Sequence, residues 1–246
     1  MRALRIALQF LTRLPLTQPA ECTPRERGRS VLYYPLVGLM IGALLLLLNS
    51  ALGQSDAGVR AALLLVVWVL LTGGLHLDGL ADSADAWLGG HGDRQRSLDI
   101  MQDPRSGPAA VMLVTLVLLV KFAALAALLA QGVWSALLIA PMLGRAAMVS
   151  VFLATPYVRE HGLGAEYARQ LPRSSAFAVL VVCAIAVVSI EPGSGVLLLA
   201  AAITGVFLLR RMMLQRLGGT TGDTLGATCE ITEALILVTA SFMGGE

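Results

Sequence analysis

The chain has few charged residues for its length. Only 14% of its 246 residues are Asp, Glu, Lys or Arg, whereas 57% are hydrophobic and the mean hydropathy is +0.77. A typical soluble domain has about 25% charged residues, so this composition excludes an ordinary soluble protein and indicates an integral membrane protein. The formal net charge of +2 is too small to indicate a nucleic-acid partner.

Cysteines are also scarce, and the short motifs of several common enzyme classes are missing. Cys22, Cys183 and Cys229 are scattered without CxxC spacing, which indicates neither a zinc site nor a disulfide framework. The sequence contains no GxxxxGK[ST], HExxH or GxSxG motif. A nucleotide-driven motor, a zincin and a serine hydrolase are therefore unsupported.

Seven apolar segments predict an all-α fold, a polytopic membrane helix bundle with about seven transmembrane helices. By residue number the segments are 31–52, 60–76, 109–131, 134–153, 176–191, 194–210 and 225–243. We expect residues 1–246 to form a single membrane domain. Within it, residues 1–30 are predicted to be a cytoplasmic segment that contains a short amphipathic helix at the membrane surface.

Arginines alternate along the chain in a way that orients the bundle. They precede the first segment and follow the second, fourth and sixth segments, whereas the other connections contain almost no basic residue. By the positive-inside rule, the N-terminus and the arginine-rich connections face the cytoplasm. The polar motifs described below lie on this same side.

The stretch GGLHLDGLADSADAWLGG, residues 73–90, places three aspartates on one face of a helix. Asp78, Asp82 and Asp85 are spaced i, i+4, i+7, and carboxylates held so close repel one another unless a cation neutralises them. Hard oxygen ligands suit Mg²⁺ or Mn²⁺, so we expect these aspartates to bind a metal ion. The alternative is a solvated acidic helix end. His76 falls on the opposite face of the helix.

A second polar stretch, DPRSGP, precedes the third apolar segment. Pro108 suits the first turn of a helix, whose free N–H groups beside Arg105, Ser106 and Gly107 could bind a phosphate. The alternative is a turn with an N-cap, in which Arg105 only fixes the topology. The acidic Asp103 lies just before this turn.

A third polar stretch, LGGTTGDTLGATCEITEA, covers residues 217–234. Its glycines and threonines, including Thr220 and Thr221, form a loop rich in hydroxyl and N–H groups that leads into the last apolar segment. This composition suits the binding of phosphate oxygens. Together with the acidic motif and the arginine loop, it indicates phosphoryl chemistry assisted by metal ions.

Several charged residues fall inside the predicted membrane spans. Glu230 and Glu233 lie within the last segment, where bare carboxylates need a metal ion, a proton or a cationic partner. Arg145 in the fourth segment lies at a similar depth, and Lys121 in the third lies deeper. Arg145 could hold a substrate phosphate, or it could pair with one of these glutamates and only hold the bundle together.

Long motifs together resemble the cobalamin synthase family, the membrane enzymes of the last steps of vitamin B12 assembly. The motifs that carry the resemblance are HLDGLADSADAW (76–87), LDIMQDPRSG (98–107) and GGTTGDTLGATCEITEA (218–234). Further segments that fit the pattern are FLTRLP (10–15), YYPLVGLMIG (33–42) and GLGAEYA (162–168). The resemblance therefore covers nearly the whole chain in the same order.

The resemblance implies a Mg²⁺-dependent phosphotransferase of the bacterial cytoplasmic (inner) membrane, with its active site facing the cytoplasm. The implied reaction converts adenosylcobinamide-GDP and α-ribazole, or its 5′-phosphate, to adenosylcobalamin, or its 5′-phosphate, and GMP. The residues that we expect to take part in catalysis are Asp82, His76, Asp103 and Glu230. Those expected to bind substrate phosphate are Arg105, Ser106, Gly107, Arg145, Thr220 and Thr221. Oligomerisation is left open.

Two other functions fit parts of the sequence. A CDP-alcohol phosphotransferase also uses a carboxylate motif containing DG at a membrane face, but this chain lacks the arginine that follows the first DG pair there. A cation- or proton-coupled transporter would use Glu230, Glu233, Lys121 and Arg145 as an intramembrane relay. The sequence shows no evident inverted repeat, and its polar motifs crowd one face, which favours an enzyme.

Overall fold

The computed structural model describes residues 2–16, 22–53, 55–159 and 163–243. The helices of this part of the chain are α1 (Arg2–Leu11), α2 (Pro24–Ser30), α3 (Tyr34–Ala51), α4 (Ala57–Thr72), α5 (Leu75–Gly89), α6 (Arg94–Ile100), α7 (Pro108–Ala130), α8 (Ala136–Ala154), α9 (Leu163–Gln170), α10 (Arg173–Ile190), α11 (Gly195–Leu217) and α12 (Gly222–Met243). No strand occurs among these residues, and the predicted all-α fold is confirmed.

Within the part of the chain that the structure describes, six stretches of helix are each long and apolar enough to cross a membrane. They are Pro24–Ala51, which ends in α3, and the single helices α7, α8, α10, α11 and α12. A seventh crossing is obtained if α4 and α5 are counted as one span, although these two helices are bent by 87°. The prediction of about seven transmembrane helices is therefore confirmed.

Two consecutive glycines break the second crossing. Gly73 (φ 62°) and Gly74 (φ 70°) both adopt the left-handed conformation, which glycine tolerates far better than other residues. Gly73 ends α4, and α5 begins two residues later in a new direction. The sequence predicted one uninterrupted segment over residues 60–76, whereas the structure breaks this segment at the two glycines. The three aspartates consequently lie on the separate helix α5.

The bundle is built around α8 and α12. In the most apolar stretch of each helix, 83% of the residues of α8 and 67% of those of α12 are buried inside the molecule. The corresponding share is 17% for both α10 and α11. Exposed apolar side chains such as Phe177 on α10 and Ile203 on α11 indicate the surface that faces lipid. The central helices α8 and α12 are also the ones that carry Arg145, Glu230 and Glu233.

The N-terminal segment is packed against the bundle. Ile6, Ala7 and Leu11 on one face of α1 are buried, which confirms the predicted amphipathic helix. After α1 the chain runs beside the end of α4, where the Arg13 N–H donates to the Leu71 carbonyl oxygen at 2.7 Å. The segment thereby reaches the break between α4 and α5. Its position at the membrane surface stays a prediction.

Candidate active site

The acidic motif meets the last helix at one end of the bundle. A Cβ atom placed on Gly79 would lie 2.7 Å from the Asp223 carbonyl oxygen, so α5 and α12 touch here through their backbones. This contact brings Asp78 and Asp82, which flank Gly79 on α5, beside Asp223 in the first turn of α12. A larger residue at position 79 would push these carboxylates apart.

Negative charge exceeds positive charge where α5 and α12 cross. We call this place, which is formed by Asp78, Asp82, Asp223 and Arg159, the acidic crossing. Asp82 lies within electrostatic range of Asp78, Asp85 and Asp223, and of the guanidinium of Arg159. That guanidinium forms an ion pair with the Asp223 carboxylate, in which Nη2 lies 2.8 Å from Oδ2. The remaining carboxylates are left without a described cation in contact, which favours the binding of a cationic ligand.

Asp85, the third predicted metal ligand, has a different place. Its carboxylate accepts hydrogen bonds from the Gly107 N–H at 2.5 Å and the Ala110 N–H at 2.9 Å. It therefore caps the N-terminus of α7, where a side-chain acceptor satisfies donors that the helix leaves free. The N–H groups that the sequence left available for a phosphate are, in part, already occupied by Asp85.

Across the described ranges, no three His, Cys, Asp or Glu side chains are grouped closely enough to hold a metal ion on their own. Mg²⁺ is commonly bound by only one or two carboxylates together with water and substrate phosphates. Asp78 and Asp82 fit that pattern because they offer hard oxygen atoms in a region of surplus negative charge. Metal binding by Asp78, Asp82 and Asp85 stays a prediction.

Asp103 and Arg105 form a local ion pair at the surface. The Arg105 guanidinium donates to the Asp103 carboxylate at 2.9 Å from Nε and 2.6 Å from Nη2, and the arginine side chain is 87% exposed. These hydrogen bonds lower the pKa of Asp103 to about 2. A carboxylate that gives up its proton so readily is a weak proton acceptor near neutral pH.

A cavity of about 650 Å³ with a mixed polar and apolar lining opens beside the α4–α5 break, and we call it the polar cavity after the charged residues in that lining. Its lining includes Asp78, Ser106 and Arg13, so it brings together the first motif, the second motif and the N-terminal segment. A Cβ atom on Gly73 would collide with the Arg13 side chain, which therefore lies directly on the glycine turn. No carboxylate of the described residues is within ion-pair distance of Arg13.

Thr220 and Thr221 are fully buried and hold the start of α12. The Thr220 N–H donates to the Pro156 carbonyl at 2.8 Å, and the Val158 N–H donates to the Thr220 carbonyl at 2.9 Å. Thr221 and Thr224 each accept a hydrogen bond from the other's N–H, at 3.2 and 2.9 Å. These bonds position Arg159 next to Asp223. Binding of phosphate by the two threonines stays a prediction.

The charged residues inside the bundle pair with one another. Lys121 Nζ lies 2.8 Å from Glu230 and 2.5 Å from Glu233, and Arg145 also pairs with Glu233. We call Lys121, Arg145, Glu230 and Glu233 the buried ion group. Arg145 is fully enclosed, which agrees with the alternative in which it holds the bundle together. Its contact with substrate phosphate, and a catalytic role for Glu230, stay predictions.

His76 sits against this group rather than among the aspartates. Its Nδ1 atom is 3.3 Å from Arg145 Nη2, and because arginine only donates, Nδ1 is the acceptor and Nε2 carries the proton. Nε2 is buried without a hydrogen-bond partner among the described residues. With 1% of its surface exposed, His76 has no open path to substrate in this conformation. Its catalytic role stays a prediction.

Three residues of this region were not predicted as site residues from the sequence. Asp223 and Arg159 belong to the acidic crossing, and Arg13 belongs to the polar cavity. Asp223 lies in the segment GTTGD and Arg13 in the segment FLTRLP. Nothing local in either segment predicts a contact with α5. Arg159 is a lone arginine after a membrane span, and such an arginine by itself indicates only the orientation of the bundle.

The fold and the site define a polytopic membrane protein with a carboxylate-rich site at one end of its helix bundle. The chain belongs to the cobalamin-5-phosphate synthase family, whose model matches residues 3–241. No solved structure matches the chain.

Curated relatives are similar over nearly the full length. The chain is 56% identical over 241 residues to the adenosylcobinamide-GDP ribazoletransferase of Pseudomonas entomophila (strain L48), covering 97% of this chain and 98% of the relative. It is 54% identical to the protein of that name from Pseudomonas syringae pv. syringae (strain B728a), with 97% and 98% covered. The corresponding protein of Stutzerimonas stutzeri (strain A1501) is 55% identical, with 97% of each chain covered.

Proposed function

We propose that the chain is an adenosylcobinamide-GDP ribazoletransferase that completes the corrinoid at a membrane. The observation that carries this proposal is the full-length similarity to relatives of that name, at 54–56% identity. The substrates are adenosylcobinamide-GDP and α-ribazole or its 5′-phosphate, and the products are adenosylcobalamin or its 5′-phosphate and GMP. The site lies in the bacterial inner membrane and faces the cytoplasm.

The proposed step is one phosphoryl transfer. A ribose hydroxyl oxygen of α-ribazole forms a bond to the phosphorus on the cobinamide side of the diphosphate. The bond from that phosphorus to the bridging oxygen breaks, and GMP leaves with the electron pair. The proton of the hydroxyl goes to a carboxylate of the site, so that atoms and charge balance.

Asp82 is the best placed of the predicted proton acceptors. It is half-buried at the acidic crossing, whereas Glu230 and His76 are enclosed in or beside the buried ion group. Asp103 is exposed to solvent with Arg105, and its pKa of about 2 makes it a poor base. Asp82 also lies close to Asp78 and Asp223, so a hydroxyl of a substrate bound at the α5–α12 crossing would be within its reach.

Asp78 and Asp82 would also hold Mg²⁺. When bound, the ion would supply positive charge that neutralises the diphosphate and the leaving phosphate. The support for this assignment is the surplus of negative charge at the α5–α12 crossing and the hard oxygen donors that produce it. Asp85 would contribute indirectly, because it fixes the start of α7 against α5.

Cations beside the acids would hold phosphate oxygens. Arg13 is the candidate added by the structure, since it lines the same cavity as Asp78 and Ser106 and has no described carboxylate partner. Arg105 is exposed two residues from Gly107 and would bind from the solvent side. A guanidinium suits this task because its planar donors match the geometry of phosphate oxygens.

The two alternative functions have less support. The relatives are named as GDP-corrinoid transferases, which favours a guanosine donor over a cytidine donor. The buried charges that a transporter would use for a relay are paired with one another inside the bundle. A transporter does not account for the carboxylates gathered at one end of the bundle beside a cavity of about 650 Å³.

The direct test uses detergent-purified protein with adenosylcobinamide-GDP, α-ribazole phosphate and Mg²⁺. Chromatography follows the completed corrinoid and GMP together, and parallel reactions contain CDP-alcohols or an adenosylcobinamide phosphate that lacks the nucleotide. We expect the two products in equal amounts, and only with the GDP donor. Folded protein that forms neither product, or that uses a CDP-alcohol, would contradict the proposal.

A further inference from the structure

Aromatic side chains are scarce in this chain, yet many of them line one cavity. Three of its four tyrosines and two of its six phenylalanines line a cavity of about 230 Å³. These aromatic residues are Phe10, Tyr34, Phe152, Tyr157 and Tyr167. They come from α1, α3, α8, α9 and the loop after α8, so the fold itself assembles the group, which no single sequence motif contains.

The rings form two stacked pairs around the cavity. Phe10 and Tyr34 stack with centroids 6.1 Å apart, and Phe152 and Tyr157 stack at 6.3 Å with an interplanar angle of 14°. Arg159 also lines the cavity, and its guanidinium pairs with Asp223 of the acidic crossing. The cavity therefore adjoins the site of the proposed reaction.

Two residues of the lining, Tyr34 and Arg159, have buried polar atoms without a hydrogen-bond partner among the described residues, and for Arg159 one such atom is Nε. Tyr34 is completely buried, and its hydroxyl has no hydrogen-bond partner among the described residues. A buried hydroxyl without a partner is unfavourable, and such a group in a native protein calls for an explanation. A ligand with a hydrogen-bond acceptor would provide one.

We propose that this cavity binds the benzimidazole base of α-ribazole, an inference that rests on the proposed function. The base is flat, bicyclic and methylated, and aromatic faces together with Met148 and Leu225 in the lining suit such a ring. Its one unsubstituted ring nitrogen accepts a single hydrogen bond, which the Tyr34 hydroxyl donates. The ribose then extends on the Arg159 side, toward Asp223 and Asp82.

Other occupants fit less well. Guanine carries an amino group, an N–H group and a carbonyl on its edge, and none of the described residues of this lining has a carboxylate or amide side chain to pair with them. Burying those groups unpaired would be costly. A lipid acyl chain would fill the apolar part of the cavity but would leave the Tyr34 hydroxyl unsatisfied.

The first test compares Tyr34→Phe with Tyr33→Phe, which changes the neighbouring tyrosine outside the cavity. Binding of α-ribazole is measured by calorimetry, and the KM values of both substrates are measured in the product assay. For Tyr34→Phe we expect weaker binding and a KM for α-ribazole raised by about three- to tenfold, the effect of one hydrogen bond. The KM for the corrinoid donor stays unchanged, and Tyr33→Phe behaves as wild type.

Thermal unfolding separates this role from a structural one. Because the Tyr34 hydroxyl has no hydrogen-bond partner among the described residues, its removal should leave the Tm unchanged or raise it. A second variant, Met148→Trp, fills the cavity and should abolish α-ribazole binding while GDP still inhibits competitively against the donor. A fall in affinity with no fall in Tm supports the inference.

Several outcomes would overturn it. Unchanged α-ribazole affinity and KM in both cavity variants would exclude the base from this cavity. A change confined to the donor KM or to GDP inhibition would assign the cavity to the guanine instead. Loss of a co-purified lipid from Met148→Trp, with normal α-ribazole kinetics, would assign it to an acyl chain.

If wild type forms no product but binds α-ribazole through Tyr34, the inference stands and the proposed reaction fails.

Discussion

Gly73 and Gly74 are neighbouring residues with the same backbone conformation and different surroundings. A side chain at either position is strained, because both residues have a positive φ. A Cβ atom on Gly73 would also collide with the Arg13 side chain, whereas a Cβ atom on Gly74 would have no atom of the described residues within 4 Å. Gly74→Ala is therefore a matched control for Gly73→Ala.

Both variants should lose about 1 kcal/mol of stability from the strained backbone. Gly73→Ala should in addition raise the KM for adenosylcobinamide-GDP by about tenfold, because the displaced Arg13 no longer donates a hydrogen bond to a phosphate oxygen. This factor corresponds to the usual strength of one charge-assisted hydrogen bond. Steady-state kinetics and thermal unfolding check both effects. Equal kinetics in the two variants would remove Arg13 from the site.

Asp85 distinguishes a helix cap from a metal ligand. The two N–H groups donate to different oxygens of the Asp85 carboxylate, and an asparagine amide offers only one acceptor. Asp85→Asn should therefore lose one hydrogen bond, about 1 kcal/mol, and Asp85→Ala should lose both, about 2 kcal/mol, with the Mg²⁺ dependence of the rate unchanged in either variant. Thermal unfolding and the Mg²⁺ dependence of the rate measure this difference. An Asp85→Asn variant that stays folded but needs much more Mg²⁺ would restore Asp85 to the metal site.

At the scale of elements, the buried ion group joins α7, α8 and α12. Lys121 also lies over the Trp68 ring of α4, with Nζ 4.3 Å from the ring centroid. Lys121→Met would leave Glu230 and Glu233 with too little positive charge, and breaking a buried ion pair in this way typically costs about 3–5 kcal/mol.

We therefore expect Lys121→Met to unfold at a markedly lower temperature in detergent. The double variant Lys121→Met, Glu230→Gln removes one charge of each sign and should recover part of the loss, because uncompensated charge is the main cost. Thermal unfolding of both variants tests this. A single variant as stable as wild type would show that the group does not hold the bundle together.

The elements that could be predicted from the sequence are those with a local signal. Most apolar segments predicted their helices to within a few residues, but segment 194–210 stops short of the end of α11 at Leu217, and segment 60–76 runs across the break between α4 and α5. The spacing of Asp78, Asp82 and Asp85 placed them on one helix face. The role of Asp85 could not be predicted, because its partners are N–H groups more than twenty residues away. Arg13 and Arg159 likewise act through contacts that only the packed bundle creates.

For the whole molecule, the arginine pattern predicts an N-terminus in the cytoplasm. Single cysteines at the exposed positions Ser55 and Gln95, in a background where the native cysteines are replaced, report on opposite ends of the bundle. An impermeant maleimide added to intact cells should label the cysteine at position 55, and position 95 only after the membrane is opened. The reverse pattern would place the acidic site outside.

The most direct test of a catalytic site at the α5–α12 crossing is the rate of product formation as a function of Mg²⁺. This rate is measured in wild type, Asp82→Asn and Asp99→Asn. Asp99 is an exposed aspartate on α6 and serves as the matched control. We predict that EDTA abolishes wild-type activity and Mg²⁺ restores it, and that Asp99→Asn behaves as wild type. Asp82→Asn should keep its Tm and lose at least about 100-fold in rate, the usual scale for a residue that transfers a proton. An Asp82→Asn protein that turns over at the wild-type rate would contradict a catalytic site at the α5–α12 crossing.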